Sequence, residues 1–145
     1  MWNELTSESD LNSFMKMHYG FHDSCIKEMK YMSGAYVNEN LGMWPANSKR
    51  VLRMIVQRQF EGSSVIEMEF EGLVFLKLFP NDEDYTCEIL DATMIWKEDC
   101  IFWCDYGGLT EAEIADFEGT AICAQKVRWR IVNEYLGDKE VYVSV

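Results

Sequence analysis

"RVLRMIVQRQFEGSSVIEMEFE", residues 50–71, decides the fold. In its second half Ile66, Met68 and Phe70 alternate with Glu67, Glu69 and Glu71. That period of two marks a strand with one apolar and one charged face. The first half is rich in β-branched and long apolar residues, and "EGSS" between them has turn chemistry. The stretch therefore predicts an antiparallel hairpin. Setting Phe60 opposite Ile66 and Val56 opposite Phe70 puts apolar against apolar, and places Gln59 and Gln57 opposite Glu67 and Glu69. A slip of one residue would set Val56 against Glu69, so the buried face is strongly specified.

Downstream the strand texture continues. "LVFLKLF" extends the second strand beyond Gly72 through a bulge, and Pro80 with "NDED" ends it. "TCEILDATMIWK" and "CIFWCDY" predict two more strands joined tightly at "EDC". "LTEAEIADFEG" starts as a helix should: Thr110 and Glu113 have capping-box spacing, and Leu109 and Ile114 have staple spacing. "TAICAQKVRWRIV" is a strand with Val127, Trp129 and Ile131 on one face and Lys126, Arg128 and Arg130 on the other. The basic stripe is expected to face a carboxylate stripe on a neighbouring strand. "EVYVSV" at 140–145 reads as an edge strand.

Upstream, residues 7–19 predict a helix with Leu11, Phe14, Met15 and His18 on one face. Ser7 caps it and Gly20 stops it. "CIKEMKYMS" is a strand with two mixed faces. "GAYVNENLGMWPANS", 34–48, is a long connection with turn residues and the bulky pair Met43–Trp44. Such a length points to function or mobility. The sum is an α+β domain spanning 1–145: an N-terminal helix packed on a twisted, mostly antiparallel sheet of six or seven strands, with one further short helix. Strands do not alternate with long helices, and no G-x-G-x-x-G or Walker-type loop occurs, which argues against a doubly wound nucleotide-binding fold.

The chain has 145 residues, 48% hydrophobic, enough for one domain with its own core. No apolar run approaches the ~20 residues of a membrane helix, and the polar, acidic start has no secretory pattern. A cytoplasmic protein with no membrane partner is expected. Five cysteines fit reduced, buried thiols. Cys100 and Cys104 lie on one strand roughly 13 Å apart, too far for one zinc with Zn–S bonds of ~2.3 Å, so no metal or other cofactor is expected. The net charge of −12 is unevenly spread: −2 over residues 1–80, −11 over 81–118 with Lys97 the lone base, and +1 over 119–145. Nucleic-acid binding needs a basic footprint, and none is present. An acidic face favours a basic protein as partner, or simply solubility.

The candidate reaction centre is "FHDSC", 21–25. His22 could be a base oriented by Asp23, with Ser24 or Cys25 as nucleophile. Neighbours on an extended segment point to opposite sides, so the simpler reading is a helix-to-strand corner. There Phe21 is a core anchor, and Asp23 or Ser24 accepts a backbone hydrogen bond. Trp103 or its neighbour Phe102 could face outward. With Tyr106 and, on the long connection, Trp44, it would form a binding surface of aromatic anchors framed by the acids Asp91, Glu98, Asp99 and Asp105.

"FHDSCIKEM", "VIEMEFEGLVFL", "IFWCDY" and "KVRWRI" together resemble small bacterial domains to which no activity is attached. In size, acidity and lack of a catalytic signature the chain is also similar to immunity proteins that neutralise toxins. The resemblance implies a non-enzymatic binding protein, an inhibitor of a basic partner, and carries over no catalytic residue. A rival reading is a small enzyme or ligand-binding domain with a pocket at His22 and Asp23, lined also by Arg128 or Arg130. A third is a structural homodimer, in place of a monomer, paired through "EVYVSV".

Overall fold

A computed structural model describes residues 1–144. In chain order the elements are β1 (Asn3–Leu5), α1 (Glu8–Met17), β2 (Ser24–Met32), β3 (Tyr36–Val37), β4 (Met43–Trp44), β5 (Val51–Arg58), β6 (Val65–Lys77), β7 (Thr93–Lys97), β8 (Cys100–Cys104), α2 (Glu111–Asp116) and β9 (Ala121–Ile131). Seven strands form one antiparallel sheet in the order β2-β5-β6-β9-β8-β7, with β1 on the edge of β9 beyond β8. Strands β3 and β4 form a separate hairpin. The fold is α+β, and no helix is long and apolar enough to cross a membrane. Ile89 N–H donates to Ser24 O at 2.7 Å, so the segment before β7 meets the start of β2. The two outer strands of the sheet thus curl toward each other around a common core.

The inner face carries Leu52, Met54 and Val56 of β5, Ile66, Met68 and Phe70 of β6, and Val127 and Trp129 of β9, all buried. Leu11 and Phe14 of α1 fill the space above them. Ser7 Oγ accepts the Asp10 N–H at 3.1 Å, as an N-cap should. Asp10 does not close a capping box. Its carboxylate takes the N–H and hydroxyl of Thr6 instead, which holds it below the usual carboxylate range. At α2 the box is complete, with Thr110 and Glu113 bonded reciprocally.

The hairpin at 50–71 is present with a different register. Val56 faces Ile66 and Leu52 faces Phe70. The displacement is an even number of residues, so the inward set is unchanged. Two contacts account for it. Phe60 leaves the strand to stack on Tyr19, ring centroids 5.2 Å apart, and receives the Arg58 guanidinium at 4.4 Å. The observed register also brings Arg53 opposite Glu69 in place of Gln57. Beyond Gly72, whose φ of +66° suits glycine, β6 continues to Lys77 with an irregularity against β9.

On the outer face Glu69 accepts from Arg53 Nε at 2.9 Å and Arg128 Nε at 2.8 Å. Glu67 accepts from Arg130 Nε at 2.7 Å and from the Tyr142 hydroxyl at 2.5 Å. The basic stripe of β9 thus meets a carboxylate stripe, and Lys126 stands opposite Glu71. Trp2 covers the pair, with Arg128 and Arg130 at 4.4 and 4.3 Å from its ring. "EVYVSV" is not a strand over 140–144, and Val145 lies outside the described residues. The Glu28 carboxylate takes Val141 N–H and Tyr142 N–H, so two amides of this segment are occupied within the chain. "TCEIL" is likewise not a strand; it runs as a loop to the bridge at Ile89.

His18 ends α1 facing inward, buried against Phe14 and Trp129. Arg58 donates to His18 O at 2.9 Å, capping the helix's negative end. Burial, and secondarily the Arg58 charge, pull His18 from its ordinary 6.5 down to about 4. As pH falls the unfolded chain takes up this proton first. The stability held above pH 6.5 is therefore lost progressively down to about 4. Melting temperature measured against pH should fall more steeply from pH 6.5 toward 5 in the native chain than in His18→Gln; parallel curves would refute a buried neutral imidazole.

Candidate functional site

The "FHDSC" corner is built by four left-handed steps interrupted once, at His22 with φ −57°. Tyr19, Gly20, Phe21 and Asp23 all have φ between +52° and +64°. Phe21 turns inward, fully buried, in edge contact with Phe14 at 5.6 Å and Trp103 at 5.7 Å. His22 turns outward. Its Nδ1 donates to Leu90 O at 2.8 Å, and its Nε2 lies 3.4 Å from Asp23 Oδ1. Among the described residues neither the Asp23 carboxylate nor the Ser24 hydroxyl accepts the expected bond from a backbone N–H; their carbonyls take Gln59 N–H and Ile89 N–H. Ser24 Oγ instead donates to Phe21 O. The hydroxyl is thereby committed, and burial raises the Cys25 thiol and keeps it protonated. Arg128 and Arg130 stand on the outer face with Glu69, Glu67 and Trp2, so among the described residues they are not brought to His22. Asp23 lines a cleft of ≈ 450 Å³ with Cys25, Arg58 and Cys87.

Of the five expected binding residues, the structure brings two together. Trp103 is corrected first: it is fully buried on the inner face of β8, because the alternation that sends Ile101 inward sends Trp103 inward too. Phe102, the outward neighbour, is half-covered by α2. Asp99 sits in the β7–β8 turn with φ +62°, at the other end of that hairpin, and lines a cleft of ≈ 420 Å³ with Trp96 and Lys126. Trp44 is exposed on the β3–β4 hairpin.

Asp105 and Tyr106 share a third cleft of ≈ 500 Å³ with Glu88, Leu90, Asp91, Gly107 and Gly108. Its frame is the open end of the β7–β8 hairpin. Thr93 pairs with Cys104, and the Thr93 hydroxyl donates to Tyr106 O at 2.6 Å while accepting Leu109 N–H at 3.2 Å. Asp105 N–H donates to Thr120 O at 3.2 Å. A Cβ on Gly107 would come within 2.3 Å of the Asp91 carboxylate, so glycine lets that side chain lie against the loop. Asp105 is half-buried, and burial raises its carboxyl above the usual range. Tyr106 is 59% exposed and touches Phe117 at 5.7 Å. Three carboxyl groups, Glu88, Asp91 and Asp105, and no base line this cleft. Among the described residues no group of three or more His, Cys, Asp or Glu side chains is placed to hold a metal ion.

Asp91 was expected among the framing acids, and the hairpin turning at Glu98–Asp99 sets it opposite Tyr106; Glu88 and Leu90, just before it in the chain, were not singled out. Compared with family models, with curated proteins and with solved structures, the chain matches none. With Phe21 clamped between rings on two elements, Phe21→Ala should lower unfolding free energy by about 3–5 kcal/mol in urea denaturation. His22→Ala should cost far less, since it removes one exposed bond. Equal losses would contradict this division of the corner.

Proposed function

We propose that the chain is a non-enzymatic cytoplasmic protein-binding domain, an immunity-type inhibitor that holds a basic partner against the cleft of Glu88, Asp91, Asp105 and Tyr106. One observation carries this reading. All twelve acids of residues 81–118 reach solvent at least in part, and among the described residues only Glu111 is in an ion pair, with Lys97. Four of the five arginines, all outside this segment, are committed: Arg53, Arg128 and Arg130 to buried glutamates, and Arg58 to the end of α1. The negative field of this segment is therefore not neutralised within the chain. A concave surface of one sign raises the encounter rate of an oppositely charged partner and falls off with salt.

Tyr106 supplies the short-range term. An exposed phenol ring beside carboxylates suits an arginine or lysine side chain, whose cation the ring face attracts while the acids take its N–H groups. Leu90 adds apolar area beside it. Aromatic anchors of this kind dominate binding energy where they are fully covered by a partner.

Binding to a panel of basic bacterial toxin domains, measured at low and high salt, tests the reading. A cognate toxin should bind more weakly as salt rises, and Asp91→Asn with Asp105→Asn should slow association. Tyr106→Ala should weaken affinity by about tenfold or more with dissociation accelerated. Affinity indifferent to these three positions, or no binding to any basic toxin domain, would overturn it.

A further inference from the structure

The β3–β4 hairpin is an arm with defined ends and bare faces. At its tip Asn38 Oδ1 accepts from the N–H of Asn40 at 3.0 Å and Gly42 at 2.9 Å. At its root Lys49 N–H and Arg50 N–H both donate to Ser33 O. A Cβ on Gly34 would strike Ser48 and Lys49, and its φ is +95°. Tyr36 pairs with Trp44 and Val37 with Met43, so both faces of the ribbon are apolar, and all four residues are exposed. Leu41 at the tip is 84% exposed. A lone two-stranded ribbon is marginal in water unless a face is covered.

A second uncovered surface adjoins it. β5 stops pairing with β6 at Glu71, and Leu73 N–H donates to Arg50 O, the last residue of the arm's root. From there to Lys77, among the described residues, β6 has a strand partner only in β9. Its other edge is open, with neither proline nor charge before Lys77, the devices that normally blunt an edge. Val74, Phe75, Leu78 and Phe79 are exposed along it. On a chain of net charge −12, residues 33–48 hold one charged side chain, Glu39, and residues 72–80 hold one, Lys77.

We propose that this charge-poor band is the contact of a two-fold homodimer, in which the arm of one copy covers the open β6 edge of the other and the reverse. The nine exposed apolar side chains of arm and edge present on the order of 1,000 Å² per copy, above the ~800 Å² per partner of a standard interface. A two-fold contact needs a patch complementary to itself. An arm with bare faces beside an edge lacking a strand provides both halves on one chain. The acidic cleft is not involved, and the two contacts respond oppositely to salt. Two chains of −12 repel, so salt should tighten this dimer, whereas it weakens capture of a basic partner.

Sedimentation equilibrium of the full chain over a concentration series, at low and high salt, tests the proposal. The native chain should pass from 17.0 kDa to twice that mass, with the midpoint at lower concentration in high salt. Trp44→Asp and, separately, Val74→Lys should each raise the midpoint by about tenfold or more with unchanged melting of the monomer. An equimolar mixture of the two variants should form a heterodimer more readily than either variant self-associates, because arm and edge are intact in one of its two contacts. A monomer at every concentration, a dimer indifferent to both substitutions, or a mixture no better than its components would overturn it. Retained binding of a basic toxin domain by both variants would leave the acidic-cleft reading standing on its own.

Discussion

Two glutamates held out of water on the outer face of the sheet constrain everything around them. Glu67 is 1% exposed and Glu69 5%. A buried carboxylate is tolerable only when cations and donors surround it. Glu69 takes a guanidinium from each neighbouring strand, Arg53 of β5 and Arg128 of β9. Glu67 takes Arg130 and the Tyr142 hydroxyl. These contacts require β5, β6 and β9 to lie in one register. They give Trp2 a cationic surface to cover, and they help draw the C-terminal segment across the sheet. Glu28 secures the same segment at Val141 and Tyr142. Burial and the Glu67 carboxylate together raise the Tyr142 phenol, which keeps it a donor.

The same ladder shapes the surface. Three of the chain's arginines are spent on internal acids, so the acidic stretch from Asp82 to Glu118, apart from Glu111 on Lys97, is left to solvent and counterions. Its loops then converge at the open end of the β7–β8 hairpin, where Thr93 ties Tyr106 and Leu109 together. Sheet pairing thus concentrates charge from two segments, 88–91 and 105–106, into one concave site.

Much of this was legible in the chain. Alternation named the inward residues of β6 and, at Val127 and Trp129, of β9, and the caps at Ser7 and Thr110 fell where local spacing placed them. The facing of Arg128 and Arg130 on carboxylates followed from one-sided charge stripes. What was not legible depended on contacts across distance. The β5–β6 register turned on Arg53 finding Glu69 and on Phe60 finding Tyr19, and pattern matching of apolar residues is blind to both because an even shift keeps the same face inward. "EVYVSV" had strand composition, yet Glu28 captured its amides. Trp103 and Phe102 are neighbours, and only the parity of β8 against β9 tells which enters the core. Asp91, Asp105 and Tyr106 were all singled out, but only the hairpin pairing puts them on one cleft.

The register of β5, β6 and β9 rests on the Glu69 carboxylate as a buried, doubly paired charge, and urea unfolding of Glu69→Gln at neutral pH tests this most directly. The amide keeps the shape and loses the charge shared by Arg53 and Arg128. Both arginines retain about a third of their side-chain surface in water, so the loss should fall short of a fully buried pair, at about 2–3 kcal/mol. A change within about 0.5 kcal/mol, the behaviour of an exposed ion pair, would contradict the claim that this ladder holds the sheet in register.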